Sequence, residues 1–203
     1  MTSAGARTPV SWASYRESIG DRSSLFAAVA AARNIERALY AGSYVDLSPS
    51  TAIPHVTYVD TDRRAARYFA DRPLVTSEVG DADVRFIAGD YTHPLAVDDH
   101  SFDLLISLYA GPVWDHCARY LRPGGFLLAN TSHGDACVAA LDPRLDLVAA
   151  VQHRGDRYRL DTDALDEYLV PKKPEAADAD AIRQSGRGIA YTRAAFAYVF
   201  RMR

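Results

Sequence analysis

The chain has 203 residues, 48% of them hydrophobic and 24% charged, with a formal net charge of −3. That length suits one α/β domain over residues 1–203 with a sizeable core. The mildly acidic balance, with no Lys/Arg run longer than a pair, argues against a nucleic-acid-binding surface.

No stretch approaches the roughly 18–20 apolar residues that span a bilayer, and the opening MTSAGARTPVSW has no hydrophobic signal core. A cytoplasmic protein without a membrane partner is expected. Cys117 and Cys137 form no Cys-x-x-Cys pair and read as reduced structural thiols. The histidines show no ligand spacing, so no metal site is expected.

In chain order, Ser23–Asn34 predicts a helix, with a serine to cap it, alanines to favour it and Leu25, Phe26 and Val29 as its apolar face. Together with Trp12 and Tyr15 it makes residues 1–36 an N-terminal helical segment. A first strand follows at Arg37–Gly42, a loop at Tyr44–Pro54, and a second strand at His55–Val59. A helix begins at Arg63, with Asp62 as its cap. Strands at Val84–Ala88, Phe102–Leu108 and Phe126–Asn130 are short, nearly continuous apolar runs bounded by Asp, Gly and Pro. Strands covered by helices on both faces have this pattern. A helix near Val113–Tyr120 separates the last two. Further strands are expected at Leu147–His153 and Ala195–Arg201, and a helix near Thr162–Leu169. The polar stretch Pro171–Gly188 reads as a surface lid. The sum is a Rossmann-like α/β fold, with a mostly parallel seven-stranded sheet and helices on both faces. Its ligand crevice belongs at the carboxyl ends of the strands.

Four segments carry a resemblance: VTYVDTD, FIAGDYTHPL, SFDLLISLYAG and LRPGGFLLAN. Together they resemble the class I S-adenosylmethionine (SAM) dependent methyltransferases, over about Arg37 to Asn130. The resemblance implies that the last strand is antiparallel. It also implies SAM as cofactor, with Asp60 on the ribose hydroxyls, Asp90 on the adenine amino group, Tyr91 beside it, and Gly42 and Ser43 on the first loop. The segment YAGSYVDLSPSTAIPHVTYVD is similar to small bacterial methyltransferase-like proteins. The first motif departs from the family pattern: of three alternating glycines only Gly42 is present. Tyr44 and Asp46 take the other two places, and Tyr40 replaces the usual acid. Those glycines permit close backbone approach, so this loop must follow another path.

Asp60 equally suits a helix N-terminus, and Gly-Asp-Tyr at Asp90 is also a turn signal. Asp46 is a candidate general base or a solvated loop acid. Tyr109, after the fourth strand, is a candidate substrate-orienting hydroxyl. Asn130, Ser132 and His133, after the fifth, make a polar group in which His133 can accept a proton. Gly-x-Ser-x-Gly is absent, which speaks against a hydrolase triad. Arg187, within Gly186–Thr192, is a candidate carboxylate grip or part of a plain turn. The expected function is methyl transfer to a small-molecule substrate in biosynthesis. The rivals are an enzyme of the same fold that performs elimination or ring closure, and a non-catalytic subunit acting as a homodimer or in a heteromeric partnership.

Overall fold

The computed structural model describes residues 10–203, so the first nine residues of the expected helical segment lie outside the described residues. Two helices lead in, α1 (Trp12–Ile19) and α2 (Ser23–Arg33). Ser11 caps α1 by accepting from Ser14 N, and Asn34 closes α2 in the left-handed region at φ 50°. The chain then runs β1 (Arg37–Ala41), β2 (His55–Asp60), α3 (Arg63–Ala70), α4 (Arg72–Val79), β3 (Asp83–Ala88), β4 (Phe102–Ser107), α5 (Val113–Cys117) and β5 (Leu121–Ala129). After these come α6 (Asp135–Leu141), β6 (Leu145–Arg154), β7 (Arg157–Asp161), α7 (Ala179–Ser185) and β8 (Ala197–Met202).

All the strands join one sheet in the order β3-β2-β1-β4-β5-β8-β6-β7. The first five are parallel, and β8 enters antiparallel between β5 and β6. The alternation of side chains feeds two cores. Ala38, Tyr40, Leu104 and Ile106 face α1, α2 and α3, whereas Leu39, Ala41, Leu105 and Leu127 face α5, α6 and α7. From Leu104 to Leu108 no residue is more than 2% exposed, as a central strand requires.

The mostly parallel sheet, the helices on both faces and the antiparallel last strand are as the sequence predicts, with eight strands in place of seven. The extra one is β7. Gly155, at φ 56°, turns the chain after β6 and returns it along the same strand from Arg157. β3 departs from its expectation of full burial. It is the sheet's edge, and only Val84 in it is buried. The helix expected near Thr162–Leu169 shrinks to one 3₁₀ turn, because Ala164 and Leu169 both sit at positive φ. Helices α4, α6 and α7 were not foreseen; Asp71 caps the first by accepting from Leu74 N.

The Leu-Arg-Pro-Gly-Gly segment lies inside β5 and breaks its register with β4. The Asp of Ser-Phe-Asp, Asp103, accepts from Glu36 N, Arg37 N and Arg122 Nε at 3.0, 2.9 and 2.5 Å. It therefore ties the amino ends of β1 and β5 together, at the end of the sheet away from the crevice.

The segment Pro171–Gly188 is held against the body at several points. Lys172 N donates to Ala190 O and Thr192 N to Val170 O, both at 2.9 Å. Ile182 of α7 is buried against α6, and a Cβ on Gly188 would lie 1.9 Å from Thr131 O. The second glycine of Gly-Arg-Gly is thus required by contact. Gly188→Ala is expected to lower stability by about 1–3 kcal/mol, the usual cost of overpacking, and to open residues 171–191 to limited proteolysis. Mapping the cleavage sites in both proteins checks this.

Candidate functional site

The carboxyl ends of β1–β4 open onto a crevice of about 380 Å³. Six residues singled out in the sequence line it: Gly42, Asp60, Asp90, Tyr91, Tyr109 and His133. A hollow of about 460 Å³ also exists beside Arg37, His55, Asp83 and Ser101. It sits at the amino ends, opposite to where sheets of this kind bind ligands.

Each side chain in the crevice is set by its strand end. Gly42 follows β1 at φ 67°, and its N–H donates to Val59 O at 2.9 Å. A Cβ here would fall 2.7 Å from Ala110 Cβ, so the loops after β1 and β4 touch only because residue 42 is glycine. Asp60 ends β2 and accepts from Tyr44 N at 2.7 Å and Asp62 N at 2.8 Å. One oxygen serves each donor, which leaves acceptor capacity on both. Asp90 uses a single oxygen to accept from Thr92 N and Thr92 Oγ1, at 2.9 and 2.8 Å. Those bonds hold its carboxyl below the ordinary value, so it stays ionised, and it remains exposed to the crevice. Tyr91 reaches across to donate to Gly111 O at 3.2 Å. Tyr109 stands half exposed at φ 59°. His133 is exposed, with Nδ1 3.0 Å from Ser132 Oγ.

Ser43 and Asp46 do not reach the crevice. Ser43 is turned inward, its hydroxyl donating to Tyr44 O at 3.3 Å. Asp46 is fully buried, neither solvated nor open to a ligand. It accepts from Arg22 Nη1 at 3.1 Å, Tyr40 Oη at 3.2 Å, Ser48 N at 3.1 Å and Ser48 Oγ at 2.5 Å. The physical reason is the missing glycines. Tyr44 takes the left-handed turn itself, at φ 47°, and the chain then dives into the core, where a carboxylate needs a cation. Burial and the charge of Asp46 push the Tyr40 phenol well above its usual range, so it remains a neutral donor. Arg22, only 4% exposed, is also 4.9 Å from the centre of the Tyr109 ring. A buried network of charge thus sits beneath the crevice and touches the residue that forms one of its walls.

Sequence reasoning missed Arg22, which lies in a turn without any motif, and also Asp135. The latter opens α6 and accepts from Trp114 N at 3.2 Å through both oxygens. It lines a cavity of about 70 Å³ that shares Gly111 and His133 with the crevice. Burial outweighs these hydrogen bonds and raises its carboxyl to about 6. The only cue in the sequence is an acid in the first turn of a helix after Ser-His-Gly. Cys117 is buried, donates to Tyr91 O, and has its thiol pushed up to about 12 by burial, as suits a structural residue. Among the described residues no group of His, Cys, Asp and Glu could hold a metal ion.

The fold is that of the class I methyltransferases. A scan against models of known families and a search among curated proteins each give no match. Solved structures do match. A candidate caffeoyl-CoA O-methyltransferase from Staphylococcus aureus is similar at TM-score 0.52 and 14% identity, over 94% of this chain and 90% of its own. A candidate O-methyltransferase from Klebsiella pneumoniae gives 0.51 and 15%, over 70% and 77%. The YcgJ protein from Bacillus subtilis gives 0.50 and 18%, over 89% and 97%.

Two outcomes follow. Arg22→Met leaves Asp46 buried and uncompensated, and should destabilise the fold by about 3–5 kcal/mol. The double variant Arg22→Met/Asp46→Asn should recover part of that loss; urea unfolding of the three proteins measures it. Asp135 binds its proton more tightly folded than unfolded. Its contribution is therefore fully present below about pH 4, fades as pH rises through about 6, and amounts to roughly 3 kcal/mol at most. Asp135→Asn should lack this component. The stability difference between the two proteins, followed from pH 4 to 7, should shift against wild type as pH rises.

Proposed function

We propose that this protein is a SAM-dependent methyltransferase acting on a small molecule. The observation that carries the reading is the pair of carboxylates, Asp60 and Asp90, at the ends of neighbouring strands β2 and β3, facing one crevice with Gly42 at its floor.

The donor and acceptor chemistry suits the adenosyl part of that cofactor. A ribose diol needs a fixed acceptor with spare lone pairs. Asp60 is held by two backbone N–H groups and keeps one acceptor position on each oxygen. An adenine amino group needs an acceptor one strand over, and the second oxygen of Asp90 is free of close hydrogen bonds. Bound there, SAM would supply an electrophilic methyl group on a sulfonium centre.

The chain's own task is then alignment, exclusion of water and removal of a proton where the acceptor carries one. Tyr109, with Arg22 beneath its ring, orients the acceptor. His133, at the shared rim of the crevice and the smaller cavity, takes the proton. Asp46 has no part in the chemistry under this reading; it anchors the loop.

Calorimetric titration with SAM and S-adenosylhomocysteine tests the proposal. Micromolar binding of both is expected, weakened by about tenfold or more in Asp60→Ala, which corresponds to roughly 1.4 kcal/mol. No binding of either by the folded protein would overturn it.

A further inference from the structure

The hairpin β6–β7 carries an arrangement that the crevice does not use. Its register sets Gln152 opposite Arg159 and Arg154 opposite Arg157. Alternation then places all four on one face, while His153 and Tyr158 stack at 4.2 Å on the other. Beside this face, before β8, comes Arg193. Together these residues and Asp161 line a groove of about 680 Å³.

Like charges directly opposite each other on a sheet destabilise it. Arg154 and Arg157 are such a pair, at the tip of the hairpin. Among the described residues, Arg154, Arg157 and Arg159 form no ion pair, whereas Arg193 is neutralised by Asp161 at 3.1 Å and Glu167 at 2.7 Å. Arg193 also lies 4.0 Å over the Tyr168 ring, which fixes the groove's inner wall. Three guanidinium groups without an ion pair among the described residues, of which Arg159 acts on Asp161 only at longer range, therefore surround one concavity in a protein whose net charge is −3. Arginines on an edge strand do discourage strand pairing between molecules. That role needs charge on the edge, however, and does not explain why both strands of the hairpin supply it to the same face.

We infer that this groove is a binding site for a small polyanion, of the di- or triphosphate class. Planar guanidinium groups match phosphate oxygens two at a time. A single carboxylate would leave two of the three cations without a partner, whereas adjacent phosphates engage them all. The turn between β6 and β7 lies at the carboxyl end of β6, the same end of the sheet as the crevice. The inference stands without the methyltransferase reading, and its test contains no SAM.

The probe is inorganic tripolyphosphate, titrated calorimetrically into the full chain at low ionic strength. Saturable one-to-one binding is expected, weakened about tenfold or more in Arg157→Ala/Arg159→Ala and in Arg154→Gln, which leaves β7 intact. Added salt should weaken it further. The exposed Arg67→Gln, on α3, should bind as wild type does. Absence of binding, or an equal loss in Arg67→Gln, would overturn the site. Tighter binding of a single-stranded RNA decamer than of tripolyphosphate would overturn the small-molecule assignment.

Discussion

A buried carboxylate cannot stand alone, and that constraint organises the whole amino-terminal half of this molecule. Asp46 has no exposed surface, so it must be surrounded by donors. It receives them from three directions: Arg22 ahead of α2, Tyr40 within β1 and Ser48 in its own loop. Each donor comes from a different element, so the pairing also fixes where α2 sits against the sheet. The turn between α1 and α2 is drawn inward by a charge rather than by an apolar anchor. Leu25, Phe26 and Val29 then close the core behind it.

The same loop connects this buried charge to the crevice. Left-handed backbone at a residue with a side chain costs about 1–2 kcal/mol, and Tyr44 adopts it at φ 47°. Asp60 stabilises that turn by accepting from Tyr44 N. One carboxylate thus shapes the loop after β1 while presenting its remaining acceptor positions to the crevice. A ligand on Asp60 would meet a group already immobilised, which reduces the entropy lost on binding. The loop is thus held by a carboxylate and a buried ion pair, on a path that alternating glycines would not need.

The legibility of the molecule in its sequence follows from how local each signal is. The central strands were legible because β4 is buried on both faces and reads as an unbroken apolar run. Asp60 and Asp90 could be placed at the crevice because strand order alone puts them there. Asp46 was misjudged because its environment depends on Arg22, 24 residues earlier, and no spacing rule connects the two. Asp103 shows the reverse case. Its motif was recognised, but its work is to bind backbone N–H groups at the far end of the sheet. Strand β7 escaped notice because Arg157–Asp161 alternates charged with apolar residues, a pattern that an exposed loop shares with an edge strand. Helix α6 was hidden in a similar way: it is short, and Gly134 before it offers no side-chain cap.

The hairpin β6–β7 also sets the distance between the crevice and the far edge of the sheet. Strand β8, inserted antiparallel between β5 and β6, moves β6 and β7 outward from the crevice. Four strand spacings of about 4.8 Å separate β4 from β7, or roughly 19 Å along the sheet. Phe196 bridges part of this distance, meeting the Tyr109 ring on one side and the Tyr158 ring on the other, at 6.5 and 5.0 Å between centroids. The aromatic ridge is continuous with the wall of the crevice, and the arginines occupy the opposite face of the same hairpin. Packed rings therefore connect β7 to Tyr109, while Asp60 and Asp90 lie outside that ridge. The carboxylates sit on parallel strands whose ends are fixed by the sheet. Tyr109 and His133, on the other side of the crevice, lie in the loops after β4 and β5 and are held by fewer backbone contacts than a strand end is.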